Sequence, residues 1–403
     1  CDVPGLIDPI AEYDHSQGRS ITGGEVYRGA SMPDLQGVYL FADFYPPAPV
    51  WGLFQDPQTG ETKTRKLGQV GTPVGTFAQG ADGEVYIPVY SGQILKIVPS
   101  TPSEGAPFPQ HLSETGCTDG ADASKPSSGL IPYGVNQPLW SDDADKRRWI
   151  GLPDDTVATV GEEGHLELPN GTVLVKEFAL DGVRLETRLL VRHEDGGWGG
   201  YAYKWLPDGS DAVWVPAGGT STQHGGTWAI PSQAQCTWCH TEAAGGSLGL
   251  ELAQLDGSFV YPNDVQADQL TTWQHLGLLD VPDTIDALPT PHGDDSVQRK
   301  ARAYLHSNCA HCHRPNGDSG SELDLRWSRD LAQINACDVE PDKGNLGVDG
   351  AKLLVPGDPS KSIISLRMHD TGEGRMPQVG TVIVDDASVA VIDAWIEDLR
   401  SCP

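Results

Sequence analysis

The chain has few cations and no long apolar segment. Its 403 residues include 27 Lys and Arg against 56 Asp and Glu, which gives a formal net charge of −29. This charge argues against nucleic acid and anionic membrane surfaces as partners, because both repel an anionic protein. No apolar run is long enough to span a bilayer, so the sequence predicts no transmembrane segment.

The sequence also lacks a P-loop, so it does not indicate an NTPase. Methionine is scarce, with three residues in the chain, whereas 48 Gly and 31 Pro favour turns and short strands over long helices. No catalytic constellation stands out. The sequence therefore leaves both enzymatic activity and oligomeric state open.

Two five-residue motifs are the most informative feature of the chain. Cys236–His240 reads C-T-W-C-H, and Cys309–His313 reads C-A-H-C-H. The spacing C-x-x-C-H attaches a c-type haem, because the two cysteines bond its vinyl groups and the histidine ligates the iron. The sequence therefore predicts two covalently bound haem c groups. Their attachment residues are Cys236, Cys239, Cys309 and Cys312, with His240 and His313 as the proximal iron ligands.

Met376 is the predicted sixth ligand of the iron held by His313. It lies in the glycine-containing segment 372–378, is followed by Pro377 and precedes a predicted helix. A thioether favours Fe(II), so His/Met ligation raises the reduction potential. The competing Met368 lies in a helix-like stretch and is predicted to be a core residue instead.

The sequence singles out no sixth ligand for the iron held by His240. Bis-histidine ligation, His/Lys ligation and an open position all remain. An open position would permit peroxide chemistry, whereas a filled one restricts the haem to electron transfer. The candidate side chains are His193, His224, His275, His292, Lys146 and Lys176.

Zinc is the rival interpretation of the paired cysteines, since two C-x-x-C pairs can form a four-cysteine zinc site. Both pairs carry a trailing histidine, which favours haem c. His311 is an internal position of the second motif and is assigned no role.

Four further cysteines bear on export and on pairing. Haem c is attached outside the cytoplasm, so we expect a periplasmic or extracellular protein whose export signal preceded this chain. Cysteines of exported proteins pair, and we expect Cys337 to pair with Cys402 because both fall in the last predicted domain. Cys1 and Cys117 have no assigned connectivity, and Cys1 also allows a lipid-modified N-terminus.

Three domains are predicted, over residues 1–107, 108–290 and 291–403. The first two consist of short alternating runs bounded by Gly, Asp and Pro, which indicate strands, and the second of them carries the first haem motif. The third carries the second motif and has helical periodicity.

Two amphipathic helices are predicted in residues 291–403. The first runs into the second haem motif, with Asp294 and Asp295 as its N-cap and negatively charged first turn. The second is expected to begin near Asp385 or Asp386. The apolar positions at helical spacing are Val297, Ala301, Tyr304 and Leu305, then Val389, Ile392, Trp395, Ile396 and Leu399.

Part of the first domain resembles a known family. Residues 9–24, 26–29 and 37–43 are similar to the last blades of the glucose/sorbosone dehydrogenase β-propeller, and residues 92–99 to its closing strand. In that family the propeller uses pyrroloquinoline quinone (PQQ), and Arg28 stands where the family has a basic residue near the quinone. About a hundred residues supply only one or two blades. The resemblance therefore implies the C-terminal part of a longer propeller, with PQQ bound only in the complete one.

The rest of the chain resembles exported dihaem proteins in which such a domain follows a sugar-dehydrogenase-like propeller, a likeness carried by residues 138–146 and 230–240. Residues 304–317 are similar to cytochrome domains of quinoprotein dehydrogenases. Two helices around a haem motif and a methionine loop resemble class I cytochrome c. The expected fold is a partial β-propeller, then a β-rich domain carrying the first haem, then an all-α class I cytochrome c domain.

These features favour an exported dihaem c-type cytochrome. It is expected to relay electrons from a PQQ-dependent sugar or alcohol dehydrogenase module, or another redox partner, to an external acceptor. It would then be an electron-transfer protein, or the electron-transfer part of a dehydrogenase. A dihaem peroxidase with an open position at the first haem is the alternative. A subunit of a conducting cytochrome polymer is a third hypothesis, although two haems in 403 residues is sparse for one.

Overall fold

The computed structural model of the chain divides into two units. The first comprises Cys1–Phe108 together with Ser232–Thr237, and the second comprises Pro109–Pro231 and Trp238–Pro403. The predicted domain boundaries at 107 and 290 stay predictions. The described residues are 9–13, 15, 17–55, 62–99, 108–236, 238–281, 285–317, 319–372, 374–378 and 380–403. Among them, no helix has the length and apolar character needed to cross a membrane.

The first unit is built from two antiparallel sheets. Side chains alternate between the two faces of each strand, and the apolar set on one face, which includes Leu40, Val50 and Ile87, forms one core. The strands are β1 (Ile21–Val26), β2 (Tyr39–Asp43), β3 (Ala48–Gln55), β4 (Thr62–Val70), β5 (Ala78–Gln79), β6 (Val85–Pro88) and β7 (Ile94–Lys96). Their orders are β1-β2-β3-β4 and β5-β6-β7. The short helix α1 (Gln233–Cys236) also belongs to this unit.

The second unit contains the remaining strands and helices. Its strands are β8 (Thr118–Asp119), β9 (Asp122–Pro126), β10 (Ile131–Pro132), β11 (Asp145–Gly151), β12 (Thr159–Val160), β13 (Leu166–Glu167), β14 (Val173–Leu180), β15 (Val183–Arg192), β16 (Trp198–Trp205), β17 (Ala212–Trp214), β18 (Gly219–Ser221), β19 (Trp228–Ile230), β20 (Ser258–Val260) and β21 (Gln266–Asp268). Its helices are α2 (Leu252–Leu255), α3 (Gln269–His275), α4 (Val297–Cys309), α5 (Ile363–His369) and α6 (Asp386–Asp398). The main sheet is antiparallel, in the order β10-β11-β14-β15-β16-β17.

This six-stranded sheet is covered on both faces. One face carries a row of apolar side chains that includes Trp149 and Val175. The other face has one apolar cluster that contains Leu174 and a second that contains Phe178. Side chains alternate along a strand, so Lys176 faces the same side as these two residues. A cation therefore separates the two apolar clusters on β14.

Helices α4 and α6 pack against each other near the C-terminus. Their shared core includes Leu305, Ile392 and Trp395, all at positions where the sequence predicted an apolar face. The prediction of two amphipathic helices is therefore confirmed.

The N-caps of these helices were predicted correctly in one case only. Asp385 caps α6, and its carboxylate accepts a backbone N–H of the first turn at 3.0 Å. At α4 the cap is Ser296, whose hydroxyl accepts from Arg299 N at 3.3 Å. Asp295 instead binds the Arg299 guanidinium at 3.2 Å. The expectation that Asp294 and Asp295 form the cap and first turn was wrong because the serine lies next to the first helical residue.

The expected fold class is wrong. Strands make up 29% and helices 16% of the described residues, which close no barrel, and a final all-α cytochrome domain is not evident. Helices α4, α5 and α6 have 13, 7 and 13 residues, and the described part of 310–358 contains turns and bridges without a helix. Glycine, aspartate and proline are frequent in that stretch and favour turns, so the helical character does not extend across the segment.

The predicted pairing of Cys337 with Cys402 is confirmed. The two residues form a disulfide with Cα atoms 5.6 Å apart, across a sequence separation of 65. Cys117 is buried in an apolar cluster of the central sheet, and burial raises the pKa of its thiol. Cys1 lies outside the described residues, so its pairing stays a prediction.

Replacing Cys337 and Cys402 together with serine should destabilise the second unit. In the chain-entropy account, a crosslink over a loop of this length is worth about 4 kcal/mol. Guanidinium unfolding with and without a thiol reductant measures the effect. The reductant should lower the unfolding midpoint of the parent protein and leave that of the double variant unchanged. An equal response of both proteins would contradict the assignment.

Candidate functional site

The second haem motif begins where helix α4 ends. Cys309 is the last helical residue, and its carbonyl accepts hydrogen bonds from Cys312 N at 3.1 Å and from His313 N at 2.8 Å. The chain therefore makes one further turn after the helix. This turn keeps both cysteines and the histidine of the motif close to one another.

His313 is partly buried and has a polar neighbour at its Nδ1. That atom lies 3.4 Å from Ser321 Oγ, a long hydrogen bond. Burial lowers the pKa of the imidazole, and the charge of Cys312 opposes this only in part. The neutral imidazole is the form that ligates iron, so the environment of His313 suits the role predicted for it.

A cavity adjoins this motif. Its lining includes Cys309, Trp140, Met368 and Met376, but not His313. The structure thus brings Met376 and Cys309 to one cavity. Met368 is 9% exposed and belongs to the apolar core, so the prediction that it is a core residue is confirmed, although its side chain also reaches the cavity.

The loop that carries Met376 is anchored to helix α5. Met376 N donates to Arg367 O at 2.9 Å, and the Arg367 guanidinium donates to Gly374 O at 2.8 Å. One helical residue therefore fixes the loop backbone at two points. The role of Met376 as the sixth ligand stays a prediction.

The first haem motif crosses the division between the two units. Cys236 ends helix α1 in the first unit, and its thiol donates to Ser232 O at 3.4 Å. Ser232 Oγ accepts from Gln235 N at 3.2 Å at the start of the same helix. Cys239 and His240 belong to the second unit.

The imidazole of His240 has one fixed tautomer. Its Nδ1 lies 2.7 Å from Gly246 O, and because a carbonyl only accepts, Nδ1 carries the proton and Nε2 keeps its lone pair. Burial, with a further contribution from the charge of Lys176, lowers the pKa of His240 to about 3. A metal-ligating histidine usually donates its other N–H to a carbonyl or carboxylate, and His240 has this arrangement.

Two consecutive glycines place the carbonyl that His240 uses. Gly245 and Gly246 have φ of +77° and +76°, the left-handed region in which a Cβ is costly. A Cβ on Gly246 would collide with the indole of Trp198, and one on Gly245 with the imidazole of His165. Only glycine therefore fits at both positions. The paired glycines five and six residues after His240 are a signal that sequence reasoning missed.

The last residues of the first motif lie beside the second motif within the second unit. Cys312 Sγ donates to Trp238 O at 3.4 Å. Cys239, the next residue of the first motif, lowers the pKa of Cys312 to about 4. The two motifs are therefore close in space, which their separation in sequence did not reveal.

Polar groups from distant parts of the chain gather in a second cavity, which has a volume of about 600 Å³. Its titratable lining residues are Arg148, His165, Lys176, Glu251, His306, His311 and Arg314. Among them, only Lys176 was a candidate ligand from the sequence, and His311 had no assigned role. Arg148 and Lys176 could have been recognised from the sequence, because each is a cation at an inward-facing position of an alternating strand.

Lys176 stands apart among the six candidates for the sixth ligand of the iron held by His240. Its charge lowers the pKa of His240, and the charge of Cys239 in turn raises the pKa of Lys176 against the larger lowering by burial. His193 instead lies 3.0 Å from the hydroxyl of Tyr201. The ligand itself stays undecided between a side chain and an open position.

The pentapeptide 245–249 has the letters G-x-S-x-G of a nucleophile elbow, yet it does not form one. An elbow joins a strand to a helix, whereas Ser247 lies among turns and bends. His165 Nε2 is 3.4 Å from Ser247 Oγ but 3.3 Å from the carbonyl of Gly245. The carbonyl requires a proton on that nitrogen, so His165 cannot accept the proton of the serine.

The basic residue suggested for a quinone site is solvent-exposed in the first unit. Arg28 lies 3.7 Å from Glu25 and donates to Val26 O at 3.3 Å. These contacts are those of a surface side chain. The suggested PQQ role of Arg28 stays a prediction for a longer protein.

The described residues contain no group of three or more His, Cys, Asp and Glu side chains arranged to hold a metal ion. No family model matches the chain, and no solved structure matches it.

Gly246→Ala should disturb the imidazole of His240. A left-handed residue with a Cβ costs about 1–2 kcal/mol, and the collision with Trp198 should move the carbonyl away from Nδ1. Losing this acceptor makes the imidazole less basic, so the midpoint potential of the attached haem should rise. A spectroelectrochemical titration measures both midpoint potentials.

Gly225→Ala is the matched control for this change. Gly225 is also left-handed, with φ of +86°, but nothing lies within 4 Å of the position of its Cβ. It should lower stability slightly and leave both potentials unchanged. If both alanine variants shifted the same potential equally, the role of the Gly246 carbonyl would be wrong.

If Met376 ligates the iron of a haem at His313 as the sequence predicts, Met376→Ala should lower the midpoint potential of that haem, because loss of the thioether removes a ligand that favours Fe(II). Met368→Ala is the control. It should cost about 2–5 kcal/mol of stability, as a buried large-to-small change does, while the visible spectrum stays low-spin. The reverse pattern, with loss of the low-spin spectrum in Met368→Ala alone, would contradict the assignment.

Proposed function

We propose that this chain is an exported dihaem c-type cytochrome that relays electrons between the haems of its two motifs. The observation that carries the proposal is the proximity of the two motifs, because Cys312 Sγ in the second motif donates to Trp238 O in the first at 3.4 Å. Haems attached at these motifs would have their attachment edges close together. A short separation favours direct electron transfer between the haems.

The residues around each motif support haem binding. His240 keeps the Nε2 lone pair free through its bond to Gly246, and His313 is held neutral by burial. Met376 and Cys309 share a cavity. Bound haem would supply the one-electron Fe(II)/Fe(III) couple, while these residues orient the axial ligands and exclude water.

The donor that we infer is a PQQ-dependent sugar or alcohol dehydrogenase module, and the acceptor is an external redox protein. Support for this donor comes from the sequence resemblance of residues 9–43. Support for the acceptor is electrostatic, because a net charge of −29 attracts a basic partner. Haem c is attached outside the cytoplasm, which supports a periplasmic or extracellular location.

Haem counting and single-haem variants test the proposal. Pyridine haemochrome analysis with the intact mass should give two haems c per chain. The double changes Cys236→Ser with Cys239→Ser, and Cys309→Ser with Cys312→Ser, should each leave one haem. Because the attachment edges are close, the two ferric haems of the parent should show magnetic coupling by EPR. Each single-haem variant should lose this coupling.

Fewer than two haems per chain in the parent would reject the proposal. Two haems whose EPR spectrum equals the sum of the single-haem spectra would reject a short-range relay. A high-spin haem that turns over peroxide would shift the assignment to the peroxidase alternative.

A further inference from the structure

Three cations lie side by side on one face of the central sheet. Strand register places Arg148 on β11 opposite Lys176 on β14, and Lys176 opposite Arg188 on β15. Neighbouring strands are about 4.8 Å apart, and like charges directly opposite one another destabilise a sheet. The row therefore needs negative charge close by.

Arg188 has a carboxylate partner within the sheet. The guanidinium of Arg188 donates two hydrogen bonds, at 2.6 and 2.9 Å, to the carboxylate of Glu186, which is fully buried. The guanidinium also lies over the ring of Phe178 at 4.4 Å. Glu186 also accepts a hydrogen bond from Trp228 Nε1 at 2.9 Å. Its carboxylate therefore binds Arg188 and Trp228.

Arg148 and Lys176 have no carboxylate partner among the residues that the structure describes. The guanidinium of Arg148 makes a long bond of 3.4 Å to Lys146 O, and the Lys176 ammonium donates to none of the described residues. Burial, followed by the charges of Arg148 and Arg188, holds the pKa of Lys176 well below its usual value. This is the behaviour of a cation without a counter-ion.

Both side chains line the cavity of about 600 Å³ in the second unit. The only carboxylate among its lining residues, Glu251, accepts from His306 Nε2 at 2.6 Å. Arg314 adds a further cation to the lining. The cavity therefore has an excess of positive charge. A carboxylate suits it, because a guanidinium fork binds two oxygens at once.

We propose that Arg148 and Lys176 form a receptor for carboxylate groups beside the first haem motif. One source of carboxylates, which rests on the proposed function, is the pair of propionates carried by the haem attached at that motif. Ala244 and Ser247, which follow that motif in the chain, line the same cavity, which supports this source. A soluble dicarboxylate entering the cavity is the other source with the same chemistry.

Arg148→Met and Lys176→Met test the receptor in the haem-loaded protein at a verified count of two haems. Each should lower the midpoint potential of one haem, because a nearby cation favours Fe(II). At about 10 Å and an effective dielectric constant near 20, the change is on the order of tenfold in the Fe(II)/Fe(III) equilibrium constant. Lys176→Arg keeps the charge and should keep the parent potential, which separates loss of charge from misfolding.

Arg147→Met is the matched control. Arg147 precedes Arg148 on β11, points to the opposite face and pairs with Glu177. Glu177 also pairs with Arg184 at 3.1 Å, so removing Arg147 leaves no unpaired carboxylate. Both potentials should be unchanged in this variant.

Calorimetric titration of the haem-loaded parent with sodium succinate distinguishes the two sources. If the propionates occupy the receptor, succinate should give no heat and the potential shifts should appear. If a soluble carboxylate is the ligand, succinate should bind at one per chain, and Arg148→Met and Lys176→Met should each abolish that binding while Arg147→Met retains it.

The receptor is overturned if neither the potentials nor succinate binding respond to the two variants. It is also overturned if Lys176→Met alone makes one haem high-spin, because Lys176 would then be an axial ligand. A parent with fewer than two haems would reject the proposed function instead, and the succinate titration would still decide whether the receptor exists.

Discussion

The arrangement of the two motifs depends on one crosslink, made by the guanidinium of Arg314. It donates to Ala310 O at 2.6 Å inside the second motif and to Ala243 O at 2.9 Å just after the first. Burial lowers its pKa, yet arginine stays charged in proteins, and an unbonded buried charge is costly. Both carbonyls must therefore stay within reach of one side chain. This constraint keeps the two motif regions close together.

The sequence predicted those parts of the fold that depend on local spacing. Apolar positions at helical intervals predicted α4 and α6, and the neighbourhood of Cys337 and Cys402 in one segment predicted their disulfide. The all-α domain, expected from the resemblance to class I cytochrome c, was wrong because turn-forming residues prevail between the helices, over residues 310–358. At the N-terminus of α4, two neighbouring side chains bind different parts of Arg299. The hydroxyl of Ser296 accepts from its backbone N–H, and the carboxylate of Asp295 accepts from its guanidinium, so the serine is the cap.

The site divides in the same way. The motif residues follow from their pattern alone, and so does the placing of Met376 in a loop before a helix. The acceptor of His240 depends on left-handed backbone at Gly246, which the sequence suggests only by its paired glycines. The placement of Arg148 opposite Lys176 depends on the register between two strands. Each strand alone shows a cation at an inward position, but register decides which cations meet, and register follows from the packing of the whole sheet.

Charge is distributed unevenly in this chain, and the unevenness has a functional consequence. Acidic residues outnumber basic ones by 56 to 27, yet Arg148, Lys176 and Arg188 are drawn into one partly buried row beside the first motif. A positive interior stabilises the reduced form of a nearby one-electron centre, while an acidic exterior attracts a basic partner without lowering the potential inside, because surface charges are screened by solvent. In the proposed cytochrome, steering and redox tuning would therefore fall to different residues, so the surface could change to suit a partner without altering the potentials inside.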